Sequence, residues 1–309
     1  MKILVLGAGG TGGYFGGRLA QAGVDVTFLV RPRRAQQIAE HGLVVKSSAG
    51  DFTLPARTIL AEQLRPEFDL VLLTCKAYDL ASALDALAPA MQGDTALLPI
   101  LNGVAHLPVL DDRFGQAHVL RGLCGLATTL TAEGEIRHTS PFHMITLGEH
   151  SGERSPRALA LAEALAKTPV QWKLSEHVYQ DIWEKYYFLT AMAAINCLLR
   201  ANVGQIVATD EGEALTLEIL EECAAVAERQ GHPPSAAHAD RVRQMLTERG
   251  SQFSASMLRD LERGGAVEAD HLVGEMLRHA RSFGLSTPLL RIANCHLQAY
   301  ELRRTASST

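Results

Sequence analysis

No run in this chain approaches the roughly 18–20 consecutive apolar residues that a helix needs to cross a bilayer, so no membrane association is expected. Cysteine is sparse: five in 309 residues, spread from Cys75 to Cys295 without a CxxC pair. That spacing offers no zinc or thioredoxin-type centre and fits reduced thiols in a cytoplasmic protein. Basic residues are not in excess either. A net charge of -5, with no basic run and no basic–aromatic interleaving, argues against nucleic acid as a partner. An anionic small molecule stays compatible with it, because local positive charge can sit in an acidic protein. The histidines are scattered. His138 and His143 fall in a strand-like stretch, and His271 and His279 are about 12 Å apart along a helix-like one, so no metal site is expected. The opening MKILVLGAGG breaks into glycine too soon for a secretory signal, which again leads to a cytoplasmic expectation.

What the chain does have is apolar material for two cores. Hydrophobic residues make up 47% of it, and its length suits two domains. The first half alternates strand-like and helix-like segments: Ile3–Leu6, a helix to Ala22, Val24–Val30, a helix Arg33–Glu40, Phe68–Thr74, a helix Asp79–Met91, then Ala96–Leu101 and a short strand at Val119–Leu120. That order implies a parallel sheet with helices on both faces. Between Cys124 and Gly148 the threonine-rich, β-branched composition predicts an antiparallel addition to that sheet. A helix at Ser155–Lys167 and a strand at Val170–Lys173 close the domain. From Glu176 onward apolar residues recur at helical spacing, with segments near 178–199, 211–230, 235–249, 254–263 and 268–283 and a last helix after Thr287-Pro288. The expected fold is α/β: an N-terminal Rossmann-type doubly wound sheet over residues 1–174, then an all-helical C-terminal domain over 175–309. The apolar stripes of those helices are compatible with a homodimer interface as well as with a core.

Gly7-Ala8-Gly9-Gly10-Thr11-Gly12 is a GxGxxG motif that follows a strand and opens a helix. In that context it is the dinucleotide fingerprint. Gly7 permits the tight turn, Gly9 lets backbone approach a pyrophosphate, and Gly12 lets helix pack on strand. The helix N-terminus then turns its N–H groups and dipole toward the phosphates, so Ala8, Gly10 and Thr11 join the contact set. Gly13, Gly16 and Gly17 continue into the helix, where close packing would compensate their low helix propensity. The second strand ends at Arg31, with Arg33 and Arg34 behind it and no acidic residue from Thr27 to Ala39. A carboxylate there would bind a ribose hydroxyl, whereas guanidinium groups pair with a 2′-phosphate, so the expected cofactor is NADPH. Two further loops leave strand ends, one with Lys76 and one with Asn102-Gly103. Lys76 is a candidate cofactor or substrate contact, and Asn102 can hydrogen-bond both the nicotinamide ribose and a substrate.

Taken together, GAGGTG, Arg31, TCKAYD at Thr74–Asp79, LNG at Leu101–Gly103, IWEK ending at Lys185, and SMLRD…VEAD from Ser256 to Asp270 resemble the ketopantoate reductases (2-dehydropantoate 2-reductases) over nearly the whole chain. The resemblance implies an active site in a cleft between the two domains and reduction of 2-dehydropantoate, a 2-keto acid, to pantoate on the way to pantothenate. It implies Lys185 as the lysine acting at the substrate carbonyl, Glu268 as the catalytic glutamate with a cofactor contact as well, and Ser256 as a substrate-binding serine. The chemistry suits these types. Hydride attack builds negative charge on oxygen, which an ammonium stabilises and then protonates. A nearby carboxylate keeps that ammonium charged. Read without the resemblance, Lys185 and Glu268 would be ordinary charged residues on exposed helix faces. The chain departs from the family at Leu189, Ala193, Phe253 and Val273, where asparagines are common. The specificity pocket is therefore expected to be more apolar, leaving a different 2-keto acid as the alternative substrate and a non-catalytic NADPH sensor as a third reading. Tyr186, Tyr187 and Asn196 are candidates for replacement polar contacts.

Overall fold

The computed structural model describes residues 1–306. It divides into two compact units, one of Met1–Leu101 with His106–Val178, the other of Asn102–Ala105 with the chain from Tyr179 on. The four residues after Leu101 therefore group with the helical unit, a detour that no local pattern announces.

The first unit runs β1 (Lys2–Leu6), α1 (Gly10–Gln21), β2 (Asp25–Leu29), α2 (Pro32–His41), β3 (Leu43–Lys46), β4 (Phe52–Leu54), β5 (Arg57–Ile59), β6 (Leu70–Leu73), α3 (Leu80–Leu87), β7 (Ala96–Pro99), α4 (His106–Phe114), β8 (Arg121–Gly125), β9 (Thr128–Leu130), β10 (Ile136–His138), β11 (Met144–Gly148), α5 (Pro156–Ala166) and β12 (Gln171–Leu174). Five strands form an all-parallel sheet in the order β5–β2–β1–β6–β7. The order reverses direction beside β1, which makes its carboxyl end the switch point of a Rossmann-type sheet. The two-residue period of a strand explains the double core. Ile3, Val5, Phe28 and Leu72 pack into one cluster with Phe15 and Leu161, while Leu4, Leu6, Leu29 and Leu73 pack into another with Leu84 and Leu110.

Two expectations need correction. The threonine-rich region does form strands, but they do not extend the main sheet. Strands β9 and β10 pair antiparallel and join β3 and β4 in a separate four-stranded sheet, and β8, β11 and β12 make a third. The partner strands β3 and β4 are only four and three residues long, too short for periodicity to reveal. The helix expected over Asp79–Met91 is shorter. It is flanked by 3-10 turns at Ala77–Asp79 and at Ala88–Ala90, the latter holding Pro89, which cannot continue an α-helix. Val119 makes only an isolated bridge to Leu97.

The second sheet packs on the far side of α1. A side chain at Gly16 would meet the Phe28 ring at 2.7 Å, and one at Gly17 would meet Phe52 at 2.9 Å, so the helix glycines are sites of close approach. Tyr14 and Arg18 of α1 are almost fully buried there. The Tyr14 hydroxyl lies 2.6 Å from His143 Nδ1, His138 Nδ1 lies 2.8 Å from the Ser47 hydroxyl, and the two imidazole rings are 5.5 Å apart. Arg18 donates to the Gly50 carbonyl at 2.6 Å.

Burial lowers the pKa of both histidines, with the Arg18 charge adding to it; at His143 the neighbouring His138 contributes as well. The neutral imidazoles are favoured in the fold, so the unfolded chain takes up protons first as pH falls below about 6.5. Their contribution is intact above that pH and is lost progressively below it. Thermal melts from about pH 8 to about pH 5.5 are expected to show a falling Tm, each kcal/mol being worth roughly 2–4 °C. A His138→Gln/His143→Gln double variant should show a shallower fall, and an equal slope would refute the assignment.

The second unit is helical: α6 (Val178–Leu199), α7 (Val203–Val207), α8 (Gly212–Arg229), α9 (Ala236–Leu246), α10 (Ser256–Glu262), α11 (Glu275–Ser282) and α12 (Pro288–Ala306). The segment expected as one helix over 268–283 contains a π-helical turn at Asp270–Gly274 before α11. Helix α7 is short and capped reciprocally by Asn202 and Gln205. Among the described residues no helix is long and apolar enough to cross a membrane.

Candidate active site

Gly7 ends β1 with φ 90°, the left-handed region that glycine adopts without strain, and its N–H donates to the Leu29 carbonyl at 2.9 Å. Thr74, just past β6, ties its hydroxyl to the Leu6 carbonyl at 2.7 Å, so the ends of β1 and β6 are joined. A Cβ at Gly12 would collide with the Gly7 carbonyl and the Thr74 hydroxyl, whereas one at Gly9 would meet nothing within 4 Å. Gly12 is thus required by packing and Gly9 is open to an incoming group. No side chain caps α1 at Gly9, and its first turn, Gly10, Thr11 and Gly12, has no acidic residue. A helix N-terminus of that kind, beside an empty glycine face, fits a dinucleotide pyrophosphate. Ala8 is buried beneath the turn.

The basic residues around the turn divide in role. Arg31 is the N-cap of α2 with an exposed side chain, and its Nη2 donates to Asp79 Oδ1 at 3.1 Å. Arg34 turns inward instead. Its Nε donates to the Ala8 carbonyl at 2.8 Å and its Nη1 to the Gly134 carbonyl at 2.8 Å, and burial lowers its pKa. Its place behind Arg31 and Arg33 predicts a phosphate-facing arginine. In the structure it braces the glycine turn from behind. Lys76 is the N-cap of the 3-10 turn after β6, half-buried.

In the helical unit Lys185, half-buried on α6, donates from Nζ to Asn102 Oδ1 at 2.8 Å. The Asn102 backbone is hydrogen-bonded by His271, and Gly103 packs against His271 and Leu272, where a Cβ would come within 3.1 Å of either side chain. The Tyr186 hydroxyl donates to the Leu272 carbonyl at 2.7 Å, fastening α6 to the π turn. Glu268, two residues before that turn, is only 8% exposed and acts electrostatically on His271. A carboxylate so buried is rarely idle surface charge, and π turns concentrate at functional sites. Lys185, Asn102 and the Glu268–His271 segment therefore come together. The exposed-face reading of Lys185 and Glu268 does not hold.

Ser256 opens α10, whose start is held by Asn196: its Oδ1 accepts from the Ala255 N–H at 2.9 Å. Two of the suggested polar substitutes already carry structural hydrogen bonds, although the Asn196 amide nitrogen is buried without a partner. Asn196 holds α10, and Tyr186 holds the π turn, with burial raising its phenol pKa well above the ordinary value; burial pushes Tyr187 up to about 12. The four departures from family asparagines are apolar throughout. Ala193 and Val273 have no exposure, Leu189 is nearly buried, and Phe253 stacks on Phe188 with ring centroids 6.2 Å apart. Leu189 lies one helical turn beyond Lys185, on the same face.

Two residues went unnoticed in the sequence reading. Asp79 is the partner of Arg31, contributed from another loop. Arg259, one turn after Ser256 on α10, has a part-buried guanidinium that donates to the Ser254 carbonyl at 3.1 Å, and burial lowers its pKa. Its signal was the arginine three residues past the serine in SMLRD, which puts both on one helical face. A guanidinium there can pair with a carboxylate.

Comparison with known proteins agrees with this layout. The family model described as ketopantoate reductase PanE/ApbA matches residues 3–152, and its C-terminal counterpart matches residues 177–301. Among curated relatives, an uncharacterized oxidoreductase of Bacillus subtilis, YkpB, is 38% identical over 98% of this chain and 100% of its own. A 2-dehydropantoate 2-reductase of Mesorhizobium japonicum is 31% identical over 94% of each chain. A crystal structure of a PanE/ApbA family ketopantoate reductase from Ralstonia eutropha superposes with a TM-score of 0.89 at 27% identity, covering 99% of this chain and 100% of that one. The chain belongs to the ketopantoate reductase PanE/ApbA family of oxidoreductases.

Proposed function

We propose that the protein reduces a 2-keto acid to the 2-hydroxy acid with NADPH, and that 2-dehydropantoate is the first substrate to test. The observation that carries this reading is the Lys185 ammonium, half-buried and held at 2.8 Å by the Asn102 side chain. When bound, the nucleotide would supply the hydride, one proton with two electrons, for the keto carbon. Lys185 does the rest at the oxygen. Its ammonium stabilises the growing alkoxide charge and gives up a proton, so that C=O becomes CH–OH. Asn102 aims the ammonium, and the buried Glu268 is the carboxylate that this reading places with it. Ser256 and Asn102 are the hydroxyl and amide that fix the substrate's polar end.

On the nucleotide side, the glycine turn Gly7–Gly12 receives the pyrophosphate, Arg31 takes the 2′-phosphate, and Lys76 adds positive charge nearby. Asn102 and Glu268 are the further contacts on the nicotinamide side. An intracellular small-molecule enzyme, with a homodimer as its oligomer, fits this reading.

A second substrate class is favoured by a specific observation. Leu189, Ala193, Val273 and Phe253 are apolar where the resemblance leads one to expect amides. A site built to pair a hydroxyl loses selectivity for it when those donors are gone. Purified protein, NADPH and a panel of 2-keto acids distinguish the two. Consumption of reduced nicotinamide with 2-dehydropantoate is expected. A higher kcat/KM for branched-chain or aromatic 2-keto acids would assign the apolar class, and no consumption with any of them would overturn the proposal.

A further inference from the structure

Arg31 and Asp79 stand beyond the carboxyl ends of β2 and β6, the two strands that flank β1. Strand β1 ends in the glycine turn. With about 4.8 Å between neighbouring strands, a hydrogen bond joining these two loops crosses the crevice above β1 from side to side. The Nη2–Oδ1 distance of 3.1 Å makes that crossing. Both ends have fixed backbones. The Arg31 carbonyl accepts from Arg34 and Ala35 at 2.9 and 3.1 Å, and the Asp79 N–H donates to the Lys76 carbonyl at 2.9 Å. The Arg31 side chain is nevertheless 80% exposed, so the pair contributes little to folding. It sits where the adenosine end of a dinucleotide would lie.

Arg34 does not duplicate Arg31. Its Nε and Nη1 turn away to the Ala8 and Gly134 carbonyls, and its Nη2 is buried. Arg31 is therefore the guanidinium whose partner would have to change on binding a 2′-phosphate, and Asp79 is the carboxylate it would have to leave. The same carboxylate is an acceptor of the kind that binds a free ribose 2′-hydroxyl.

We propose that Asp79 is a cofactor-selectivity residue: by holding Arg31 across the nucleotide crevice it weakens the grip on the 2′-phosphate of NADPH and narrows the preference over NADH. The inference rests on the nicotinamide-nucleotide reading above. A phosphate placed between Arg31 and Asp79 gains the first and is repelled by the second. At an exposed site each effect is small, and together they amount to about three- to tenfold in affinity.

Calorimetric titration of wild type and Asp79→Asn with NADPH and with NADH tests this without any turnover. The NADPH Kd should tighten about three- to tenfold in Asp79→Asn while the NADH Kd does not improve. The gain should shrink with added salt and vanish in an Arg31→Ala background. An unchanged ratio of the two Kd values, or equal tightening for both nucleotides, overturns the role of Asp79 and leaves the cofactor reading intact. A wild-type protein that binds neither nucleotide overturns the cofactor reading, and this inference falls with it.

Discussion

Lys185→Ala is expected to lower kcat by about a thousandfold or more while the Kd for NADPH changes less than about threefold. The magnitude follows from what the side chain supplies. Losing a preorganised donor to a developing oxyanion costs roughly 10²–10³ in rate, and losing a general acid about 10²–10⁴. The two losses overlap in one group, so they do not multiply. NADPH affinity is spared because the phosphate contacts proposed here belong to the glycine turn and Arg31. Asn102→Ala should give a smaller loss, because the ammonium survives without its 2.8 Å acceptor. Steady-state rates beside nucleotide titrations separate these outcomes. Equal loss of rate and of NADPH binding in Lys185→Ala, or loss of neither, removes the lysine from its role.

At the other end of the chemistry, two glycines three residues apart should respond in opposite ways to the same methyl group. Gly9→Ala should fold as well as wild type, with Tm within about 2 °C, because its Cβ meets no protein atom within 4 Å and its φ of -81° suits alanine. It should nevertheless weaken NADPH binding by roughly tenfold to a hundredfold, since the methyl takes space meant for the pyrophosphate. Gly12→Ala should instead destabilise the protein by about 1–3 kcal/mol, because its Cβ runs into the Gly7 carbonyl and the Thr74 hydroxyl. A purely structural glycine turn predicts no binding phenotype for Gly9→Ala. Melting curves and titrations on the two variants decide between these.

The sequence carries four of the main sheet's five strands because they are buried on both faces and read as short apolar runs, KILVL, DVTFL, LVLL and ALLP, whereas the part-exposed edge strand RTI gives no such sign. It also carries the glycine turn, since backbone geometry there demands glycine at fixed offsets. The second sheet was not legible. Strands β3 and β4 are short segments that pair with each other, and β3 is held on its other side by β10, a pairing separated by some ninety residues of chain. Lys185 and Glu268 were legible only through resemblance, because a lone lysine or glutamate on a helix carries no local sign of burial. Asn102 is a candidate contact from its place at a strand end, but its bond to Lys185 spans 83 positions and leaves no local sign. Arg34 shows the converse error: composition grouped it with Arg31, and the carbonyls of Ala8 and Gly134 drew it inward. Tyr186 and Asn196 were polar residues in search of a role, and the backbone of the π turn and of α10 already used them.

Transfer of the hydride itself can be followed directly. With NADPH deuterated at the reactive nicotinamide carbon and a 2-keto acid in a single-turnover mixture, mass spectrometry of the product reads where the label goes. One deuterium bonded to the former keto carbon of a 2-hydroxy acid is the predicted result. An unlabelled hydroxy acid, or labelled nucleotide recovered intact beside unreacted keto acid across the panel, would contradict it.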